Sequence, residues 1–361
     1  MNPPSIAERR LLNQRLTRAG FRRAGDVVEW LGAVQAQEFE PAKWALGLRM
    51  RDSVVSAETQ RALDDGVILR THVMRPTWHF VSAADIRWMT ELTAPGVHRR
   101  MSTYDRQLGL DDQLFVRGTG LIERALGDRN YLTRAELGDR LRTAGLALDG
   151  VRLAHLAMYA ELEGVICSGP RRGKQSTYAL VAERAPKAVR LSRDEALATL
   201  ARRYFSSHGP ATIRDFVWWS GLNTADAKRG LEMNKARGED AGGRTYWTIG
   251  ASSRGAARDH LVHLLPVYDE YLVAYRDREA VPHGSLVINR NFRPADSVIF
   301  QHTLVIAGHV AGTWRRTERS KSVAIDVIPT RRLTRPERRA IDEAAGRYEE
   351  FLCTPVACSV R

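Results

Sequence analysis

Tyr131-Leu132-Thr133-Arg134-Ala135-Glu136-Leu137-Gly138-Asp139-Arg140-Leu141 opens the stretch that decides the fold, and a second helical pattern runs on through Leu153, Leu156, Ala157, Ala160 and Leu162. Two strand-like runs follow, Val165-Ile166-Cys167-Ser168 and Thr177-Tyr178-Ala179-Leu180-Val181. They flank the basic, glycine-bounded tip Gly169-Pro170-Arg171-Arg172-Gly173-Lys174-Gln175. Apolar spacing changes from the helical period to the strand period across this stretch, with turn residues between. Two helices and a basic hairpin spell a winged helix, the helix-turn-helix variant whose wing can meet a DNA backbone.

The same pattern recurs on either side. Gly209-Pro210-Ala211-Thr212-Ile213-Arg214-Asp215-Phe216 leads through Trp218-Trp219-Ser220-Gly221-Leu222-Asn223 to a new helix at Thr224, with Ser-Gly-Leu as the turn. A looser copy near the N-terminus has a short helix from Ala57 to Asp65. Its hairpin sets Val67-Ile68-Leu69-Arg70-Thr71-His72-Val73-Met74 against Thr77-Trp78-His79-Phe80-Val81 around Arg75-Pro76. Ser or Thr followed three residues later by an acid marks helix starts at Ser5/Glu8, Ser82/Asp85, Thr133/Glu136, Ser192/Glu195, Thr212/Asp215 and Thr334/Glu337. After Leu261 the pattern turns to strands: Val298-Ile299-Phe300, Thr303 to Ile306, Val310 to Trp314 and Val323 to Ile328, closed by a helix from Arg335 to about Leu352. The expected class is α+β, with three tandem winged-helix modules (1–110, 111–188, 189–260) in a curved array and a C-terminal small β-barrel domain (261–361).

The 361 residues are 43% hydrophobic and 27% charged, the balance of a soluble globular chain able to bury several cores. No apolar run approaches the roughly 20 residues of a membrane span. Met1-Asn2-Pro3-Pro4-Ser5 has no basic, then apolar leader, so a cytoplasmic, nucleoid-associated protein without membrane contact is expected. Three cysteines, Cys167, Cys353 and Cys358, with no Cys-x-x-Cys pair, argue against a disulfide framework, zinc or an iron–sulfur cluster. No metal or cofactor is expected. The net charge of +13 favours a polyanionic partner, and joined to the module pattern it points to double-stranded DNA. Three unlike modules in one chain suit a monomer clasping one irregular place on DNA better than a two-fold dimer reading spaced half-sites.

Gln35 and Gln37 stand in Leu31-Gly32-Ala33-Val34-Gln35-Ala36-Gln37-Glu38. On a helix residues i and i+2 point about 200° apart, so the amides converge only if the helix from Asp26 stops near Val34 and the chain becomes extended. Convergent amides can hold a water. The plainer reading is that they cap the last carbonyls of that helix.

Val34-Gln35-Ala36-Gln37-Glu38, Glu40-Pro41-Ala42-Lys43-Trp44-Ala45-Leu46, Met74 to Val81, Leu265-Pro266-Val267-Tyr268-Asp269-Glu270-Tyr271-Leu272-Val273 and Gly312-Thr313-Trp314-Arg315 resemble the AlkZ-like family of bacterial DNA glycosylases across nearly the whole chain. The resemblance implies three tandem winged helices followed by a β-barrel. It also implies a catalytic Gln-apolar-Gln motif at Gln35 and Gln37, where a crosslink-unhooking branch has Gln-apolar-Asp. This chain departs from the family's frequent Met-Arg-Gly-Thr-Leu-His-Leu by Pro76, Trp78 and Phe80, which bears on its substrate.

An N7- or N3-alkylated purine is cationic and leaves as a neutral base without a strong general acid. The enzyme must then hold the nucleotide, stabilise an oxocarbenium-like sugar and place a water, all within reach of amides. The expected reaction is monofunctional hydrolysis to an abasic site, extending to bulky natural-product adducts. Glu38 and Glu40 are rival water activators, more simply read as solvated, and Lys43 a rival Schiff-base former, more simply an ordinary surface lysine. DNA contacts are expected from Arg70, Arg75 and His79 on the first hairpin and from Arg171, Arg172 and Lys174 at the second wing tip. Arg315 and Arg316, with Arg319 and Lys321, would add a cluster after the Gly312-Thr313-Trp314 turn. Trp78 and Phe80 are as well read as core. The alternative function is a non-catalytic winged-helix DNA-binding regulator; a drug-sequestering protein fits the charge poorly.

Overall fold

A computed structural model describes residues 5–17, 20–51, 55–250, 261–284 and 297–361. Met1–Pro4, read above for a leader, and 251–260, the end of the third expected module, lie outside the described residues. The first region holds helices α1 (Ile6–Asn13), α2 (Ala24–Leu31), α3 (Phe39–Gly47), α4 (Ser56–Asp64) and the long α5 (Ile86–Gln107). Its strands β1 (Val34–Gln35), β2 (Ile68–Val73) and β3 (Arg75–Ser82) form a sheet in the order β1-β3-β2. Next come α6 (Asp112–Leu126), β4 (Leu132–Thr133), α7 (Arg134–Thr143), α8 (Gly150–Leu162), β5 (Ile166–Ser168), β6 (Thr177–Leu180) and α9 (Val181–Arg184), with sheet order β4-β6-β5. The third group is α10 (Arg193–Ser207), α11 (Ile213–Ser220), α12 (Thr224–Met233) and the hairpin β7 (Arg237–Ala241) with β8 (Arg244–Thr248).

The helix starts follow from local chemistry. Ser5, Thr133, Ser192, Thr212 and Thr334 each accept from the backbone N–H three residues on, while the acid there reaches back, the reciprocal arrangement that satisfies two orphan donors. Ser82 is the exception. Antiparallel pairing with Ile68 carries β3 through Ser82, and the helix begins only after Asp85. The Asp85 carboxylate is drawn instead to the Trp88 indole N–H, 2.9 Å away, and to Arg203 on α10.

The C-terminal region contains β9 (Val262–Leu265), α13 (Glu270–Val273), β10 (His302–Ile306), β11 (His309–Glu318), β12 (Val323–Pro329), α14 (Arg335–Leu352) and β13 (Val356–Val360). Its strands make one five-stranded sheet, β13-β12-β11-β10-β9, antiparallel except for the parallel β12–β13 pair. Two sequence expectations are corrected here. Val298–Phe300 is a 3-10 turn, not a strand, closed by the Phe300 N–H to the Ser297 carbonyl and by the Thr303 hydroxyl to that of Val298. Gly312-Thr313-Trp314 is not a turn but mid-strand β11. Gly312 is required because a Cβ there would overlap the Ile328 carbonyl of β12, and the chain reverses earlier, at Ala307-Gly308, both with positive φ.

The regions share cores rather than touching lightly. Leu11, Leu16, Trp44 and Leu48 from the N-terminal helices lie in one apolar cluster with Trp314, Tyr348 and Phe351 of the C-terminal unit. A second cluster joins Val73 and Met74 of the first hairpin to Tyr204, Phe216 and Trp219 of the third group and to Tyr275. Gly221 ends α11 in the left-handed region at φ 71°, and any Cβ there would overlap the Met74 carbonyl oxygen. That oxygen also accepts from Arg100 at 2.8 Å. Gly221→Ala therefore combines left-handed strain with a backbone clash. It should lower unfolding free energy by about 2–4 kcal/mol, read as a shift in urea midpoint at unchanged slope.

Candidate active site

α2 stops because Gly32 takes φ 85°, and the chain straightens into β1. Pairing of Val34 with Phe80 and Gln35 with His79 makes the segment extended. Val34 and Ala36 therefore turn into an apolar cluster with Leu31 and Phe80, while Gln35 and Gln37 share the opposite face. The Ala36 N–H donates to the Trp78 carbonyl at 2.7 Å, continuing the pairing past β1.

Each amide oxygen has a donor. Gln35 Oε1 accepts from Arg75 Nη2 at 2.9 Å, and Gln37 Oε1 from the Trp78 backbone N–H at 3.4 Å. A carbonyl oxygen has two lone pairs, so each keeps acceptor capacity for a water. The motif backbone is gripped too: the Gln35 N–H donates to Glu270 Oε1 at 2.9 Å, and Arg70 donates to the carbonyls of Ala36 (2.9 Å) and Gln37 (3.2 Å). Helix capping by the glutamines is thus replaced by a strand with its side chains held from behind.

Glu270, at the head of α13, is fully buried. Its Oε2 accepts from the Trp219 indole N–H at 2.9 Å and lies 3.3 Å from His208 Nε2. Burial alone would raise its pKa, but the hydrogen bond and field of His208, the Gln35 N–H and the Arg75 charge outweigh burial and hold it below the ordinary glutamate range. Burial also pushes His208 below its usual range, so at neutral pH His208 contributes as a hydrogen-bonding ring and Arg75 supplies the positive charge. Sequence reasoning gave Glu270 no role, although an acidic pair inside the apolar run from Val262 to Val273 signals buried partners.

The expected DNA contacts divide. His79 is wholly buried; its Nδ1–H donates to the Thr77 carbonyl at 2.9 Å and its Nε2 faces Arg75 at 3.3 Å. Burial, then the Arg75 charge, push its pKa down to about 3, so it is a neutral ring behind the motif rather than a surface contact. Arg70 and Arg75 are likewise turned to the motif. Arg171 is committed to the first region: Nη1 meets Glu40 at 2.7 Å, its backbone N–H meets Asp64 at 3.0 Å, and its guanidinium lies 4.2 Å from the Phe39 ring centre. Arg172 is exposed but pairs with Glu136, whereas the exposed Lys174 has no ion pair among the described residues. Arg315 is exposed on β11, whereas Arg316 is drawn to Glu318 at 2.9 Å; Arg319 and Lys321 are exposed at the β11–β12 reversal. Lys43 is not an ordinary surface lysine. It is buried, 3.2 Å from Glu40 and 3.3 Å from Gln60. Glu38 is exposed.

A strand-borne pair of neutral amides, braced by arginine and a buried carboxylate, sits within a stretch that matches a known family. The model of the family described as DNA glycosylase AlkZ-like matches residues 28–351. An interstrand DNA cross-link repair glycosylase of Streptomyces sahachiroi is 26% identical over 326 residues, covering 81% of each chain. The solved structure of Streptomyces sahachiroi DNA glycosylase AlkZ is similar in fold, with a TM-score of 0.74 at 22% identity over 98% of both chains. The chain belongs to the AlkZ-like DNA glycosylases, DNA-repair hydrolases that act on N-glycosyl bonds.

Proposed function

We propose that this glycosylase removes N7- or N3-alkylated purines from duplex DNA as a monomer, with Gln35 and Gln37 holding the attacking water beneath the sugar. The observation that carries the reading is the pair of amides on one face of an extended segment, each oxygen pinned by a separate N–H. A cationic base leaves without a strong acid, so pre-oriented dipoles near C1′ meet the demand of an oxocarbenium-like transition state. The three helix-and-hairpin groups act as tandem winged helices, and the C-terminal sheet curls as a small barrel-like unit. Lys174, Arg315, Arg319 and Lys321, all exposed, are the cations assigned to the DNA backbone in this reading. That the Streptomyces sahachiroi relative is named an interstrand DNA cross-link repair glycosylase supports extending the proposed reaction here to purines bearing a bulky substituent.

The test is release of 7-methylguanine from methylated duplex DNA. Wild type should release it, and Gln35→Ala and Gln37→Ala should each slow release by about 10²-fold or more while duplex affinity stays within about threefold. Release at the wild-type rate by both variants would remove the glutamines from the mechanism. Tight binding without release by wild type, on methylated and on bulky-adduct DNA alike, would leave a non-catalytic DNA-binding regulator.

A further inference from the structure

Beside the glutamine strand, between the first hairpin and the start of α7, lies a cavity of about 370 Å³. Trp78 and Tyr178 supply its rings, Arg70 and Arg134 its cations, and Ser168 and Ser176 hydroxyls. Both guanidiniums face the Trp78 indole, at 4.3 Å and 5.7 Å from its centre. Neither has a carboxylate in salt-bridge range among the described residues. Arg70 is spent on the motif carbonyls, and among the described residues Arg134 donates its hydrogen bonds to the Tyr178 hydroxyl, at 3.1 Å and 3.3 Å. Arg134 also occupies the first position of α7, where its charge opposes the positive end of the helix dipole. Glu161, an acid in the wall, is engaged by the His72 ring and by the Trp78 indole N–H. Burial brings Arg70 down to about 10, opposed by the field of Glu161 and aided more weakly by Arg134 and Arg171. Two cations therefore share this wall with one acid, which makes no ion pair with either among the described residues, so positive charge is in excess beside the Trp78 and Tyr178 rings.

We propose that this cavity seats one phosphodiester of the DNA backbone beside the lesion nucleotide. Arg134 is its direct ligand, and Arg70 couples that contact to the Gln35–Gln37 strand. The site rests on the proposed placement of the lesion at the two glutamines. An arriving phosphate offsets the excess positive charge and accepts from the Arg134 guanidinium. Because Arg70 also holds the Ala36 and Gln37 carbonyls, the phosphate sets the height of the sugar above the amides.

The experiment is equilibrium binding to a duplex with one tetrahydrofuran abasic-site analogue, in which methylphosphonate replaces single phosphates in turn. Wild type should lose about tenfold in affinity at one linkage next to the analogue. Arg134→Ala, and Arg134→Gln which keeps a donor for Tyr178, should bind the natural duplex that much more weakly and lose nothing further at that linkage. Their log K against log salt slope should fall by about one, while Arg134→Lys keeps it. The proposal is overturned if wild type tolerates methylphosphonate at both flanking linkages. It is also overturned if folded Arg134→Ala, checked by thermal melting, keeps the full wild-type sensitivity. Binding is read without base release, so a failure of the glutamine mechanism would leave this pattern intact, and a failure here would leave the glutamine result standing.

Discussion

Glu270→Ala should lower unfolding free energy by about 3–5 kcal/mol and abolish ordered packing around Gln35, because it removes the acceptor shared by the Gln35 N–H, the Trp219 indole and His208. Each of these donors belongs to a buried residue, so solvent is poorly placed to replace the carboxylate. Glu270→Gln separates shape from charge. The amide keeps one acceptor oxygen for the backbone N–H or the indole but leaves Arg75 without its counter-charge, so the loss should be about 1.5–3 kcal/mol. Denaturant midpoints at unchanged slope measure both. The sign of the pH dependence follows from the depressed folded pKa of Glu270. The unfolded chain protonates this carboxylate first, below its ordinary value of about 4.3. The stability carried by the charge is thus fully present above that value and is lost as pH falls through the lower folded pKa. The gap between wild type and Glu270→Gln should therefore be constant above about pH 5 and shrink below it. A gap unchanged down to pH 3 would mean that the negative charge at 270 contributes nothing.

Much of this site could be read in the sequence, and what could not has a common physical cause. Gly32 followed by alternating Val34, Gln35, Ala36 and Gln37 announces a helix end and an extended strand, because glycine tolerates positive φ and alternation sorts amides from core. The Ser/Thr-acid pairs located five helix starts, since capping needs only neighbours three residues apart. The pair at Ser82 failed because strand pairing with Ile68, a long-range fact, took the serine first. The strands β9 and β13 went unread for the same reason, and the local hairpin β7–β8 for want of apolar alternation in its first strand. β7 is nearly all polar, while β9 and β13 are short, and only partners far along the chain make them strands. The arginines illustrate the limit most clearly. Arg70, Arg75 and Arg171 look like DNA contacts in a basic hairpin, yet each is committed to groups 33 or more residues away. Glu270, on which Gln35 rests, is 235 residues from it.

Arg49→Met should be as damaging as any single change, costing about 3–5 kcal/mol, because it strands Asp269 as a buried, unpaired charge. The guanidinium meets that carboxylate with two parallel bonds, Nη1 to Oδ2 at 2.8 Å and Nη2 to Oδ1 at 2.9 Å, and also donates to the Ala45 carbonyl and to Gln14. Arg49→Lys should rescue little. A single ammonium cannot reproduce the fork or reach all of these acceptors at once. Asp269→Asn should also destabilise, since it leaves the buried guanidinium with a neutral partner, but the double variant Arg49→Met with Asp269→Asn should lose less than the sum of the two. A double-mutant cycle showing simple additivity would mean that the pair is not coupled. The consequence reaches the chemistry through one peptide bond. Asp269 caps α13, accepting from the Tyr271 N–H at 2.9 Å, and so fixes the backbone that carries Glu270 beneath Gln35. Arg49→Met protein that remains folded at low temperature should therefore lose 7-methylguanine release far more than duplex affinity. Release and affinity falling together would place the pair in overall stability alone.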